Sequence, residues 1–319
     1  MKPPPFFVSF RTAADYRAAL GDGVAELYWP DIGHLGERRL PPVVSVRALA
    51  CLFGVSSKFV GALRRNPERY YRSFVIRTGR KKRQIHSPKV GLKVFQKWFG
   101  THLAAALEFD PWVFGFVPGR SAPMAARVHA RARWIYSVDL ADFFPSVSRT
   151  RVVGALQGLG YPGHGAELAA SLCCYGEGLA QGSPASPVLS NLVFREQDQQ
   201  LHELAREFGA RLTRYADDIV FSGQAAVPAG LPDRVKAVVT AGGWDLNDAK
   251  EELAESPIRL KVHGLVVHGD RPRLTKGYRN RIRALRHLSA VGKVRSEDAA
   301  RVAGHLRYAD SIDRLSEEE

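Results

Sequence analysis

Arg211-Leu-Thr-Arg-Tyr215-Ala-Asp217-Asp218-Ile-Val-Phe-Ser222 has the pattern of two strands joined through a pair of acids. Arg211 to Tyr215 and Ile219 to Ser222 are rich in aromatic and β-branched side chains, which suit strands, and Ala216-Asp217-Asp218 separates them as the tip of a hairpin. Upstream, Trp134-Ile-Tyr-Ser-Val-Asp139-Leu140 reads as a third strand that ends at an acid. Three carboxylates, those of Asp139, Asp217 and Asp218, are thereby expected to meet at one end of a sheet. Further out, Leu92 to Leu107 carries apolar residues at helical spacing, with Leu92, Phe95, Phe99, Leu103 and Leu107 on one stripe. Tyr70 to Ser87 reads as a hairpin turning at Thr78-Gly79, with a basic second strand, and Ser45 to Leu63 as two short helices broken at Gly54. Strand, helix and hairpin in this order describe an α+β fold with helices on one face of a sheet.

An Asp-Asp pair alone suits a plain turn. A set of three acids with no histidine or thiolate, however, offers the all-oxygen ligands that hard divalent cations such as Mg²⁺ take. The charge distribution points toward a polyanion. The chain has 319 residues and a net charge of +14, but Lys58 to Lys97 holds thirteen Lys and Arg against Glu68. Arg271 to Arg307 holds eleven against Glu297 and Asp298, so everything else sums to −7. Two basic blocks flanking a mildly acidic centre suit a protein that grips nucleic acid around a cation site. Solvated basic faces without a ligand are the blander alternative. Cys51, Cys173 and Cys174 form neither a CxxC pair nor a zinc pattern. No apolar run is long enough to span a membrane, and the start, Met-Lys-Pro-Pro-Pro-Phe-Phe-Val, lacks a signal-peptide core. A cytoplasmic location without membrane association is therefore expected.

Tyr215-Ala216-Asp217-Asp218 resembles the YxDD box of reverse transcriptases, and the family's other motifs precede and follow it in order. Ser137-Val-Asp-Leu-Ala-Asp-Phe-Phe-Pro-Ser146 is similar to the palm motif that supplies the first metal-binding aspartate. The resemblance makes Asp139, Asp217 and Asp218 the catalytic metal ligands, lets Leu140 lend its carbonyl, and makes Phe144 the aromatic that crowds the sugar 2′ position. An ordinary core phenylalanine is the alternative for Phe144. Ala180-Gln181-Gly182-Ser-Pro-Ala-Ser-Pro187 resembles the QGxxxSP motif, which places Gln181 and Gly182 beside incoming nucleotide and template. Leu246-Asn-Asp-Ala-Lys250 implies a lysine near the triphosphate, and Lys261-Val-His263-Gly-Leu-Val-Val267 resembles the hairpin that grips the primer end.

The basic segment Arg80 to Arg83, with Ile85, Pro88, Leu92-Lys93 and Gln96, is similar to the fingers motif R-x-I-x-x-P-x-x-x-L-K-x-x-Q. Arg83 is the expected triphosphate contact, because a guanidinium fork donates two parallel bonds to phosphate. Gly115-Phe-Val-Pro-Gly-Arg120-Ser121 resembles the next fingers motif, implying template contacts from Arg120 and Ser121. Tyr278 to Leu288, a helix with Arg279, Arg281, Arg283 and Arg286 beside an apolar face, resembles the thumb that tracks the duplex. The family's N-A-x-x-H and V-T-G elements appear in altered form, as Ala125-Ala126-Arg127-Val128-His129 and Val262-His263-Gly264.

The resemblance implies a right-hand polymerase fold with fingers, palm and thumb. The expected division is residues 1–133 for N-terminal helices and fingers, 134–275 for the palm with a fingers insertion near 160–190, and 276–319 for the thumb. Within the family the wording is most like bacterial retron enzymes. That implies an RNA-directed DNA polymerase with two Mg²⁺ ions, replaceable by Mn²⁺, and deoxynucleoside triphosphates as substrates. It also implies a structured noncoding RNA as template and primer source, an RNA–DNA duplex product and an effector protein in anti-phage defence. An intron-derived or CRISPR-associated reverse transcriptase would keep the same site with another RNA. A non-catalytic RNA-binding scaffold would keep only the basic walls, and a transcription factor built on Leu49 to Leu63 would leave the later motifs without a purpose.

Overall fold

The computed structural model describes residues 10–79 and 81–315. Arg80 of the basic hairpin, and the opening prolines, lie outside the described residues. The chain divides into two compact units, Met1–Phe109 with Asp142–Glu196 and Asp110–Ala141 with Gln197–Glu319. In chain order the described strands are β1 (Tyr71–Thr78), β2 (Lys81–Pro88), β3 (Trp134–Asp139), β4 (Cys174–Tyr175) and β5 (Gly178–Leu179). They continue with β6 (Arg211–Tyr215), β7 (Asp218–Gly223), β8 (Glu252–Glu255), β9 (Lys261–Val262), β10 (Leu265–Val266) and β11 (Arg273–Leu274). Helices and mostly antiparallel strands make an α+β architecture, as the sequence pattern implies.

The first unit is mainly helical. The segment Ser45 to Leu63 forms the two expected helices, Val46–Phe53 and Ser57–Arg65. Ser45 and Ser56 cap their N-termini by accepting from main-chain N–H groups, and Gly54 ends the first helix in the left-handed region at φ 62°. This pair is spent on the core: the Phe53 ring meets Trp98 edge-on with centroids 5.1 Å apart and lies 6.2 Å from Phe95. Phe95 and Trp98 belong to Val90–Ala106, which also buries Leu92, Phe99 and Leu103. Val60 and Leu63 of the second helix are buried as well, so both helices contribute to packing. Two further helices, Ala13–Leu20 and Asp22–Glu37, precede them. β1 and β2 pair antiparallel from Tyr71↔Pro88 to Thr78↔Lys81.

A four-stranded antiparallel sheet in the order β6-β7-β3-β8 forms the centre of the second unit. Trp134, Ile135, Tyr136 and Val138 of β3 are all buried, so both faces of that strand are covered, and β7 buries Ile219 to Gly223 in the same way. Ile135 and Val220 share one hydrophobic cluster with Ala126, Leu260, Val262 and Leu265. Through Val262 and Leu265, the small sheet β11-β10-β9 is fixed to the same core. The helix Lys276–Ala290 buries only Ile282, and Ala299–Arg314 follows it. No helix among the described residues is long and apolar enough to cross a membrane.

Candidate active site

Register alone brings two of the three acids together. Asp139, the last residue of β3, lies directly opposite Asp218, the first residue of β7. Directly opposed residues of an antiparallel pair point to the same face, so both carboxylates leave the sheet on one side. β6 and β7 are joined by a two-residue turn, with Tyr215 paired to Asp218 and Ala216-Asp217 at the tip. Asp217 is tied to the end of β3 as well, because its carbonyl accepts from the Leu140 N–H at 2.9 Å.

The turn is held from below. Ala216 sits at φ 60°, a left-handed conformation that costs a non-glycine residue roughly 1–3 kcal/mol and persists only where the surroundings enforce it. Arg214 does much of that enforcing: Nη1 donates to the Ala216 carbonyl at 2.9 Å, while Nε and Nη2 form a fork on Asp198 at 2.6 Å each. Both partners of this ion pair are buried, at 1% and 3% exposure. Burial raises the Asp198 carboxyl above its ordinary value, and the guanidinium opposes that rise. On the other side, Arg214 N–H donates to Trp112 O and Phe114 N–H donates to Arg214 O, both at 2.8 Å. This close approach needs Gly115, where an added Cβ would lie 2.0 Å from the Ala216 nitrogen. Arg214 and Asp198 were missed by sequence reasoning, which read Arg214 only as a strand residue.

His129 is also structural. Its ring is fully buried and bridges Ser222 Oγ through Nδ1 and Thr213 Oγ1 through Nε2, each at 2.7 Å, so it clamps β6 to β7. Burial, helped by the charge of Arg211, pushes its pKa down to about 3. Arg211 donates to the Val128 and Ala130 carbonyls at the C-terminal end of Ala122–Val128, where a cation complements the helix dipole.

Chain donors flank the acids. Lys250 follows the segment Leu246-Asn247, which runs along the end of β3 with Asn247 N–H donating to Asp139 O at 2.8 Å, and its ammonium donates to the Asp139 carboxylate. Burial raises the Asp139 carboxyl above the usual carboxylate range; Lys250 works against this, and Asp217 and Asp218 add to it. His263 Nδ1 lies 3.1 Å from Asp218 Oδ2, and its ring meets that of Tyr215 at 5.1 Å. Among the described residues, no three His, Cys, Asp or Glu side chains are already set as a cation cage. The donor set nevertheless has the chemistry for one: carboxylate oxygens suit a hard divalent cation, and the Lys250 ammonium already sets a positive charge against one of the three acids.

The remaining candidates for nucleotide binding lie in the first unit. Arg83 is exposed on β2, opposite Ile76. Gln181 accepts from the His86 N–H through its carbonyl at 2.8 Å, which docks the Gln181-Gly182 loop on the base of that hairpin. Gly182 has φ 128°, and a Cβ there would lie 2.9 Å from the His86 carbonyl oxygen, so only glycine fits. Gln96, quoted above as a motif residue, is fully buried and locks the assembly: Nε2 donates to Tyr71 OH and Leu172 O, and Oε1 accepts from Ser183 Oγ, all at 2.7 Å. Phe144 is half-buried on the short helix Phe143–Ser146, stacked on Phe143.

Of the nucleic-acid candidates, Arg120 directs Nη1 to the Asp110 and Val113 carbonyls, bracing the segment beneath the Asp217 turn, and Ser121 is the N-cap position of Ala122–Val128. Arg279, Arg283 and Arg286 line a groove of about 670 Å³ with Arg273 of β11 and Arg271 just before it, and Arg281, exposed on the same helix, does not. Arg286 is held by Asp310 at 2.7 Å.

Residues 76–261 match the family described as Reverse transcriptase (RNA-dependent DNA polymerase). The Retron Mx65 reverse transcriptase of Myxococcus xanthus is 34% identical over 311 residues, covering 87% of this chain and 69% of the relative. The Retron Ec86 reverse transcriptase of Escherichia coli is 31% identical over 235 residues, covering 73% of each. Among solved structures, a Candida albicans telomerase with a fragment of telomeric RNA aligns with a TM-score of 0.46 at 10% identity, covering 70% of this chain and 50% of that one.

Proposed function

This chain belongs to the reverse transcriptase family and, within it, to the retron reverse transcriptases, so it is an RNA-directed DNA polymerase with the right-hand polymerase fold; we propose that Asp139, Asp217 and Asp218 carry its chemistry. The observation that supports this most is the β3–β7 register, which sets Asp139 against Asp218 on one face with Asp217 at the adjoining turn. The primer 3′-hydroxyl attacks the α-phosphate of a deoxynucleoside triphosphate, a phosphodiester forms, and pyrophosphate leaves. Asp139, Asp217 and Asp218 would hold two divalent cations of the Mg²⁺ type, which when bound would acidify the attacking hydroxyl and offset charge on the leaving group. The protein's own task is positioning and charge stabilisation. Lys250, whose ammonium donates to Asp139, is assigned to the triphosphate, and Leu140 is assigned to lend its carbonyl to the same site.

In the first unit, Arg83 is assigned to the triphosphate and Gln181 and Gly182 to the incoming nucleotide and template. Phe144 is assigned to the sugar 2′ position, favouring deoxynucleotides. Arg120 and Ser121 stand on the template side, and Arg279, Arg281, Arg283 and Arg286 follow the backbone of the RNA–DNA duplex. The corresponding functional division is fingers within residues 1–133 and near 160–190, palm at 134–275 and thumb at 276–319.

The relatives are retron reverse transcriptases, and from that kinship the template assigned here is a structured noncoding RNA that also provides the primer. The product is a short single-stranded DNA attached to that RNA, which acts with an effector protein in anti-phage defence. The test is to express the protein with its flanking locus and recover what travels with it. A defined RNA and RNA-linked DNA are expected with the wild type; Asp217→Asn with Asp218→Asn keeps the RNA and loses the DNA. DNA synthesis by the double variant would overturn the site, and generic primer extension without a bound RNA would overturn the template assignment.

A further inference from the structure

The link between β9 and β10 is a two-residue turn, His263-Gly264, with φ 48° and 78° and with Val262 paired to Leu265. Positive φ at both central residues is the type I′ pattern, which Asn-Gly fits best. A histidine at the first position carries strain that asparagine or glycine would lower, so the turn itself gives no reason for an imidazole. The reason lies in where the ring goes. It is folded inward, 8% exposed, over Tyr215, with Nδ1 3.1 Å from Asp218 Oδ2. Its Nε2 is buried and has no hydrogen-bond partner among the described residues. Neither ring nitrogen is therefore turned outward to a nucleic acid, although the hairpin resembles the primer grip.

The platform beneath the ring is rigid. Val262 and Leu265, the residues on either side of the turn, belong to the hydrophobic cluster that includes Ile135 of β3 and Val220 of β7. The hairpin and the acid-bearing strands are thus parts of one core, and a group mounted on the turn is fixed relative to Asp218. We infer that His263 is a positioning residue for Asp218: it orients the carboxylate from one side and leaves the other oxygen to the divalent cation, as Arg214 fixes the same turn from below. This rests on Asp218 being a metal ligand. Partners of a metal ligand commonly change affinity by about 10–100-fold when removed, because they set the ligand's orientation.

Two substitutions separate the ring's role from the turn's. His263→Gly keeps the left-handed backbone at no cost and deletes the contact. His263→Asn also suits the turn, and its side-chain NH₂ can stand where Nδ1 stands. The probe is Mn²⁺ alone, titrated into purified protein and followed by its electron paramagnetic resonance signal, alongside melting temperature and the kcat and KM of primer extension. H263G should bind Mn²⁺ about 10–100-fold more weakly and lower kcat, while melting where the wild type does; H263N should recover most of the affinity. Wild-type Mn²⁺ affinity in H263G overturns the inference. So does a rise confined to KM for template-primer, which would return His263 to a primer contact. So do a large drop in melting temperature or an H263N protein as weak as H263G, since each would assign the residue to packing. The D217N/D218N variant tests the parent reading separately: if it retains Mn²⁺ affinity, the acids are not the ligands, whatever His263 does.

Discussion

The turn that carries Asp217 and Asp218 rests on a buried Arg214–Asp198 fork and a glycine contact, whereas the hairpin that carries Arg83 meets solvent on both of its faces. Arg72, Phe74, Val75, Ile76, Lys82 and Arg83 are all exposed, and Phe74, Val75 and Ile76 leave 41%, 51% and 44% of their surface open. The two regions meet opposite demands. Acids that must converge repel one another and need an environment that forbids relaxation, which buried bidentate bonds supply. The role proposed for Arg83, taking hold of a mobile triphosphate, would need solvent access and lose little from an exposed strand.

That contrast breaks most visibly at Asp198. Asp198→Ala removes the carboxylate from a guanidinium that is 1% exposed, which should cost about 3–5 kcal/mol in denaturant unfolding. Synthesis should fall as well, even though Asp198 touches no substrate, because Ala216 loses part of what holds it in the left-handed region. A variant with unchanged unfolding midpoint would show that the turn is braced elsewhere.

The same buried support predicts a pH dependence. His129 has its pKa pushed down to about 3 by burial and stays neutral between Ser222 and Thr213. In the unfolded chain a histidine takes up its proton near pH 6.5. The depressed folded value therefore leaves stability intact above about 6.5 and removes it as pH falls from there toward 3, at up to about 1.4 kcal/mol per pH unit. His129→Gln should flatten that slope in urea melts taken between pH 6.5 and 5. Parallel slopes for the two proteins would contradict the assignment of a neutral clamp.

Much of this was legible from sequence wherever the signal is local. β3, β6 and β7 announce themselves by β-branched and aromatic residues, with Asp139 closing β3 and Asp218 opening β7, and the paired helices by Gly54 between apolar stripes. The convergence of Asp139 on Asp218 follows from strand ends alone. The helices Ala13–Leu20 and Asp22–Glu37 escaped because Gly23, Pro30, Gly33 and Gly36 punctuate the second as a loop would be punctuated. The burial of Val24, Ala25, Ile32 and Leu35 overrides that propensity. Asp198 sits in the polar run Arg195-Glu-Gln-Asp-Gln-Gln200, which looks like a solvated helix face. Its spacing to Leu201 and Ala205 puts it on the buried stripe, and that was the available signal; its partner sixteen residues on could be identified only from the fold.

The smallest effect on stability is expected at Arg83, where the comparison is sharpest. Arg83→Ala should move the unfolding free energy by no more than about 0.5 kcal/mol, as for other exposed positions away from caps and networks. If its fork is assigned correctly, the loss appears in KM for the deoxynucleoside triphosphate, and Arg83→Lys recovers the charge without the second parallel bond. Steady-state primer extension across nucleotide concentrations separates the cases. A raised KM with an unchanged melt places Arg83 on the triphosphate. An unchanged KM would assign the exposed strand to the template instead, where the loss would appear as a shallower dependence of RNA binding on salt.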